Sequence, residues 1–224
     1  MKEFSIIGSS PPRVDALGKV TGKAMYTADL KTTGMLYLKL VRSPHAHARI
    51  VSIDTSKAEL LPGVQGILRP EDVPDKRAGV PIADRYLLPR DNIVRFAGEA
   101  VVVIAADTAD IAEEALELVK VEYEELAAVF DPEQAMGKDT PAIIHPDRPN
   151  YAFESSPRHP EILDPGVTNL QNKAVLYTGD VEKGFREADL VVENRYVAET
   201  VQHCPLETHI IDAWVELDGT ITVR

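Results

Sequence analysis

The run from Glu99 to Ala106, Glu-Ala-Val-Val-Val-Ile-Ala-Ala, constrains the fold of this chain more than any other segment. It is apolar after its first residue, and its centre is β-branched. Such a run is typical of a strand that is covered on both faces. The rest of the chain must therefore supply neighbouring strands and at least one packed layer.

The residues after this run predict a helix and then a second strand. Asp107 and Thr108 are candidate N-caps. Apolar residues then recur at helical spacing, and residues 119–124 alternate between apolar and charged. A strand, a helix and a strand within about thirty residues are typical of a crossover unit. We predict an α+β fold in which helices pack on a mixed sheet.

Other segments predict further strands and short helices. A helical turn is predicted at Ser56–Leu61, a long loop at residues 70–92, a helix capped by Asp180, and a hairpin turn at Asp218-Gly219. The further predicted strands are Leu36–Val41, Ala48–Asp54, Val64–Leu68, Ala174–Tyr177, Leu190–Ala198, Ile210–Leu217 and Ile221–Val223.

Proline spacing divides the chain. Residues 131–172 contain many prolines and few apolar anchors, which indicates a domain boundary or a long connection. We therefore expect a lead-in at 1–12, a first domain at 13–131, a connection at 132–173 and the start of a second domain at 174–224. A strand next to Arg224 leads us to expect a fragment or one part of a split subunit.

Composition excludes several classes of protein. The formal net charge of −12 argues against nucleic acid and anionic membranes as partners. The single cysteine excludes an internal disulfide and a cysteine-ligated iron–sulfur cluster within these residues. Because the sequence shows neither a signal peptide nor a membrane span, we expect a cytoplasmic protein.

The segment Arg42–Asp54 alternates polar and small apolar residues after Pro44. His45, His47 and Arg49 are predicted to lie on one face of a strand. Two interpretations remain: a hydrogen-bonded strand face, which we favour, or the edge of a site for a polar or anionic partner. In the second, Arg42 and Arg49 would bind carboxylates of a partner surface.

Residues 203–209, His-Cys-Pro-Leu-Glu-Thr-His, hold the densest group of reactive side chains. Three interpretations compete: a nucleophilic Cys204 as in cysteine hydrolases, a metal site, and an ordered turn held by hydrogen bonds. The metal site would use His203, Glu207 and His209, but the spacing matches no zinc signature. From spacing alone we favour the turn.

Three blocks resemble the molybdenum-binding large subunit of the xanthine dehydrogenase/aldehyde oxidase family. They are Arg13–Asp29, Arg42–Asp54 and Val94–Ala105, and the likeness covers roughly 13–131 and a later block near 179–217. The branches with carbon monoxide dehydrogenase and 4-hydroxybenzoyl-CoA reductase are similar too. The resemblance implies that residues 13–131 form an α/β hammerhead domain and that 174–224 begin a molybdopterin-binding domain.

The resemblance also implies a function and partners. Such enzymes hydroxylate an aldehyde, an N-heterocycle or a related aromatic substrate with molybdenum-molybdopterin, for which we expect the cytosine dinucleotide form. Electrons pass to [2Fe-2S] clusters and FAD on partner subunits or domains. The base glutamate and the main pterin-binding segments lie downstream in relatives, so we expect no catalytic residue and no metal ligand in this chain.

The resemblance assigns cofactor contacts to Gln202 and His203. In the family, a glutamine before a similar His-x-x-x-Glu segment contacts the apical oxygen of the molybdenum centre. The register places Val201 at that position and Gln202 one residue later. His203 and Glu207 match the family as structural residues of the turn.

Two alternative functions remain open from the sequence. The blocks at Pro81–Ala83 and Asp91–Glu99 fit a reductase that acts on an aromatic thioester equally well. The chain is alternatively a non-catalytic hammerhead module that serves in assembly.

Overall fold

The computed structural model describes residues 6–79, 83–147, 169–170, 178–206 and 208–224. Its strands are β1 Tyr37–Arg42, β2 Ala48–Asp54, β3 Val64–Leu68, β4 Ile93–Val94, β5 Ala100–Ala106, β6 Lys120–Glu125, β7 Ala213–Val215 and β8 Ile221–Val223. Its α-helices are α1 Ala16–Val20, α2 Ser56–Glu59, α3 Ala109–Leu118, α4 Pro132–Met136 and α5 Val181–Glu187.

The chain divides into two compact units. The larger unit is Gly34–Ala188, and the smaller one combines Met1–Thr33 with Asp189–Arg224. No helix within the described ranges has the length and apolarity needed to cross a membrane.

The larger unit holds two three-stranded sheets in the orders β1-β5-β3 and β4-β2-β6. The pairings within both sheets are antiparallel. The predicted central strand is confirmed, because β5 has a partner on each side and its adjacent Val101 and Val102 are both fully buried. Side chains on both faces of β5 are therefore covered.

The predicted strand–helix–strand segment forms, but its two strands belong to different sheets. Thr108 caps α3 by accepting a hydrogen bond from the backbone N–H of Ile111, and α3 packs on β1, β3 and β5. Both edges of β5 are occupied by β1 and β3, so β6 pairs with β2 instead. The α+β class is confirmed, while the crossover unit within one sheet is wrong. The predicted mixed sheet is wrong as well, because the pairings between the described strands are antiparallel.

A single core joins the two sheets. Its buried residues come from β2, α2, β4, β5 and α3, and they are Ala48, Ile50, Ala58, Val94, Val101, Val102, Ile104 and Ala115. Burial of this apolar surface is the main favourable contribution to folding of the unit.

A glycine sets how closely α3 approaches the turn before β3. Gly63 has a φ of +93°, and a Cβ atom at this position would lie 2.7 Å from Cδ1 of Ile111 in α3. Both the left-handed backbone and the lack of space require glycine here.

The smaller unit contains α1 and the β7–β8 hairpin, and none of its described residues is buried. The predicted hairpin turn is confirmed: Gly219 has a φ of +87°, and β7 pairs antiparallel with β8. The predicted helix after Asp180, in the larger unit, is also confirmed, since the Asp180 side chain accepts a hydrogen bond from the N–H of Lys183.

Two predicted strands differ from the structure. Leu190–Ala198 forms no strand, and within Ile210–Leu217 the strand is Ala213–Val215, extended by backbone hydrogen bonds of Asp212 and Glu216 across the hairpin. A strand requires a hydrogen-bonding partner, and within the described ranges no segment pairs with 190–198. The predicted strand Ala174–Tyr177 lies outside the described residues.

Candidate functional site

The segment with the proposed cofactor contacts is exposed. Gln202, His203 and Cys204 are all exposed, and residues 201–206 belong to no helix or strand. Glu207 lies outside the described residues. Cys204 has a φ of +44°, which is unusual for a residue with a side chain. Neighbouring side chains are therefore not constrained to opposite faces of a strand.

The contacts of the described residues in 203–209 support none of the three interpretations. Among the described residues, no group of three or more His, Cys, Asp or Glu side chains is arranged to hold a metal ion. Within the same ranges, no hydrogen bond or ion pair involves Cys204. The hydrogen bonds that we expected to hold the turn are not formed by His203 or His209 with other described residues.

The histidines of residues 45–47 lie just before β2 and contact the end of β6. The imidazole Nδ1 of the buried His47 lies 2.6 Å from the carbonyl oxygen of Ala127. The Nδ1 of His45 lies 3.4 Å from a Glu125 carboxylate oxygen, and its ring packs 4.9 Å from that of Tyr123. Contacts within the chain, which the sequence favoured over a partner site, are therefore present. The expected strand face shared with Arg49 is wrong, because both histidines precede β2 and His47 is buried while Arg49 is exposed.

The arginines of the same segment also bind within the chain. Arg42 donates a hydrogen bond of 2.7 Å to the carbonyl oxygen of Gly98. The Nε of Arg49 lies 3.3 Å from the carboxylate of Glu124, which faces it on β6. Both arginines therefore have binding partners within the chain. Neither contact involves a carboxylate of a partner surface, which was the alternative interpretation.

The structure also reveals a half-buried charged cluster that the sequence analysis missed, centred on Arg95. Its side chain is only 11% exposed. The guanidinium donates to the Asp91 carboxylate at 2.6 and 3.2 Å, and to the carbonyl oxygens of Ile93 and Ile144 at 3.0 Å each. The carboxylate of Glu99 accepts the backbone N–H of Arg95 at 2.6 Å.

Burial and the charge of Arg95 shift several pKa values around this cluster. Burial acts to raise the pKa of Asp91, but hydrogen bonds and charge from Arg95 outweigh it and leave that pKa below its usual value. Burial raises the pKa of Glu99. Burial, reinforced by the charge of Arg95, lowers the pKa of His145.

The side chain of Asn169 holds the start of the proline-rich connection in place. The side-chain N–H₂ of Asn169 donates to the carbonyl oxygens of Ala135 and Ala142 and to the Thr140 hydroxyl, at 2.8 to 3.1 Å. Its side-chain oxygen accepts the N–H of Ile144 at 2.9 Å. Together with Arg95, this amide fixes residues 135–144 within the larger unit.

A sequence signal for the charged cluster exists. Asp91, Arg95 and Glu99 are spaced four residues apart directly before an apolar strand, so at least one is drawn towards the core. A tight turn lies at Gly98, with a φ of +92° and a hydrogen bond of 2.7 Å from its N–H to the Ser43 carbonyl oxygen. No local sequence pattern indicates the hydrogen bonds of Asn169, because its partners are distant in the sequence.

Two family models match the chain. Residues 21–127 match "Aldehyde oxidase and xanthine dehydrogenase, a/b hammerhead domain", and residues 166–224 match "Molybdopterin cofactor-binding domain". The predicted hammerhead fold is confirmed by the first match.

Individual relatives agree with these models. The nicotinate dehydrogenase large molybdopterin subunit of Eubacterium barkeri is 35% identical over 99% of this chain and 47% of its own length. The xanthine dehydrogenase molybdenum-binding subunit of Escherichia coli O157:H7 is 38% identical over 94% of this chain and 27% of its own length. The solved aldehyde oxidoreductase of Desulfovibrio gigas matches with a TM-score of 0.74 at 30% identity, over 95% of this chain and 23% of that one. The chain therefore spans about a quarter to a half of these relatives.

Replacing Arg95 is expected to destabilise the larger unit. Arg95→Met leaves the Asp91 carboxylate half-buried without its cation and the Ile144 carbonyl oxygen without its donor, at a cost of about 1–3 kcal/mol in the free energy of unfolding. Urea denaturation measures the change. Arg49→Met is the matched control because its ion pair with Glu124 is exposed, and it should cost less than about 0.5 kcal/mol. Equal effects of the two variants would contradict a structural role of the cluster.

The His145 shift predicts a dependence of stability on pH. The carboxylates of Asp84 and Asp91 act to raise the pKa of His145, but burial and Arg95 outweigh them, so this pKa is lowered in the native state. As pH falls below about 6.5, the imidazole is therefore protonated in the unfolded chain before it is protonated in the native state. The free energy of unfolding should therefore fall between about pH 7.5 and 5.5 in part through this group. His145→Gln should reduce that slope, as measured by urea denaturation across the range, whereas the exposed His209→Gln should leave it unchanged. A slope that His145→Gln does not alter would contradict the prediction.

Proposed function

This chain belongs to the xanthine dehydrogenase/aldehyde oxidase family of molybdenum-binding large subunits, and from this premise we propose that it is the N-terminal part, or a split subunit, of a molybdenum hydroxylase. The observation that carries the proposal is the succession of the two domain matches in one chain. We assign the hammerhead domain to 13–131, the connection to 132–173 and the start of the cofactor-binding domain to 174–224.

The proposed cofactor is molybdenum-molybdopterin in its cytosine dinucleotide form. When bound, this group supplies the transfer of a water-derived oxygen to an electron-poor carbon and accepts two electrons. The exposed amide of Gln202 and the exposed imidazole of His203 suit polar contacts to such a group, since neither is bound to another described side chain. They would hold and orient the cofactor through hydrogen bonds and not as ligands of the metal.

The chain is proposed to contribute structure and one wall of the site, without being catalytic alone. It spans 47% and 27% of two relatives, so most of their residues have no counterpart here. We place the catalytic base and the metal ligands in that remainder. The hammerhead domain, stabilised by its apolar core and by Arg95, would provide a rigid support beside the cofactor.

We propose an aldehyde, an N-heterocycle or a related aromatic compound as substrate. The support is that relatives carry the names nicotinate dehydrogenase and xanthine dehydrogenase, and that the solved relative is an aldehyde oxidoreductase. Electrons would leave through an iron–sulfur subunit with [2Fe-2S] clusters and through an FAD subunit. These partners and the rest of the molybdenum subunit would form a cytoplasmic complex.

Purification of the native protein with its bound partners, followed by metal and cofactor analysis, tests the proposal. We expect molybdenum and a pterin to co-purify in equal amounts, together with iron and flavin. A native protein that carries no molybdenum and no pterin would contradict the proposal and would favour a non-catalytic assembly module.

A substitution tests the role of Gln202. In the native complex, Gln202→Leu removes an amide donor near the reacting centre and should lower kcat by about tenfold to a hundredfold, with molybdenum content unchanged. Val201→Leu is the matched control because Val201 offers no side-chain hydrogen bond, and it should leave kcat unchanged. If Val201→Leu lowers kcat and Gln202→Leu does not, the assignment of the contact to Gln202 is wrong by one residue.

A further inference from the structure

Residues 137–147, which we call the strap, follow α4 and are attached to the larger unit by polar groups. The structure describes every residue of the strap, and none of them is buried. The strap also contributes no side chain to the apolar core of this unit. A segment with little apolar burial opens at a low free-energy cost, because few contacts are lost. Attachment of the strap therefore depends on a small number of hydrogen bonds and ion pairs.

Two arginines hold the C-terminal end of the strap. Arg95, directly after β4, donates from Nε to the carbonyl oxygen of Ile144 at 3.0 Å. Arg77 donates from Nη2 to the Asp147 carboxylate at 3.2 Å. Both arginine side chains are largely shielded from water, with 11% and 15% of their surface exposed. His145 lies between these two attachment points in the sequence.

Asn169 fastens the strap to itself. Its N–H₂ donates to the Thr140 hydroxyl at 3.1 Å and to the Ala142 carbonyl oxygen at 2.8 Å, and its oxygen accepts the N–H of Ile144. These three partners all belong to the strap, so their bonds to Asn169 persist if the strap moves as one piece. The bonds donated by the two arginines are thus among the contacts that a release must break.

His145 is half-buried, and charges of both signs act on it. Burial disfavours a proton on its imidazole, and so do the charges of Arg95 and Arg77. The carboxylates of Asp84 and Asp91 favour the proton, but Asp91 is already bound by Arg95 at 2.6 Å. The pKa of His145 is therefore lowered, by burial first and by the charge of Arg95 next. A proton on this imidazole costs less free energy once the strap has moved into water.

We propose that the strap is a pH-operated latch: a proton on His145 releases residues 137–147 from the guanidiniums of Arg77 and Arg95, while the core of the unit stays folded. The proton adds a positive charge beside two guanidiniums in a half-buried site, where solvent screens the repulsion poorly. Release places the imidazolium in water and ends this repulsion. The inference does not rest on the proposed function, because every group in it belongs to the larger unit.

The direction of the pH response follows from the same groups. Because the pKa of His145 is lower in the attached strap than in the released strap, the released form takes up the proton first. Below about pH 6.5, the ratio of released to attached strap therefore rises by at most about tenfold per pH unit. Asp91 keeps its charge in this range, because its pKa lies below 3.8. Protonation of Glu99 does not drive the release, since burial raises its pKa in the native state.

Distances between paired spin labels test the latch in the native protein. Lys138→Cys places one label on an exposed position of the strap, and Glu114→Cys places the other on the exposed side of α3, in a Cys204→Ser background. Electron–electron double resonance should give one narrow distance distribution at about pH 7.5 and a second, broader population at about pH 5.5. The matched control pair, Val51→Cys with Glu114→Cys, joins β2 to α3 and should keep one distribution at both pH values.

His145→Gln removes the titrating group. In this variant, the label pair on the strap and α3 should keep its narrow distribution at about pH 5.5. A strap that is still released at low pH in His145→Gln would overturn the inference, as would a distribution that does not change with pH when His145 is present. Broadening of the control pair together with the strap pair would also overturn it, because the whole unit would then be unfolding.

A second comparison needs no substitution at position 145. An NMR titration of the Cε1–H of His145 gives the midpoint of its protonation, and the label pair gives the released population at the same pH values. The two midpoints should agree. An imidazole that titrates without release, or a release midpoint more than about one pH unit away, would overturn the inference even if His145→Gln failed to fold.

Discussion

The central position of β5 is the constraint on which the larger unit depends. Buried side chains lie on both of its faces, and its backbone pairs with β1 on one side and β3 on the other. Neither edge of β5 remains for β6, which pairs with β2 instead. The common core then arises because residues of both sheets converge around β5.

Local signals predicted much of the larger unit. The bounds of β2 and β3 and the cap at Thr108 follow from strand alternation and capping chemistry, and in the smaller unit the turn at Gly219 follows from the backbone freedom of glycine. Which strands pair was less predictable, because pairing depends on the edges that remain free after the first sheet forms. The predicted strand at 190–198 fails for the same reason, since β propensity supplies no partner.

The candidate site was likewise predicted only in part from the sequence. Alternation favoured contacts within the chain for His45 and His47, and these form with Glu125 and Ala127, although neither histidine lies on a strand. The cofactor contacts of Gln202 and His203 came from resemblance, and they remain proposals. The charged cluster at Arg95 was missed because its contacts with Ile144 cross 49 positions of sequence, which no local pattern reports.

Gly63 has a consequence for how this domain tolerates sequence change. The gap between α3 and the turn before β3 is filled by the side chain of Ile111, which lies where any Cβ of residue 63 would be. The two positions are therefore linked: a larger residue at 63 is accommodated only if Ile111 is shortened and the backbone leaves the left-handed region. Since such a double change passes through a strained single variant, substitution is expected to accumulate on the exposed side of α3 long before it reaches this contact.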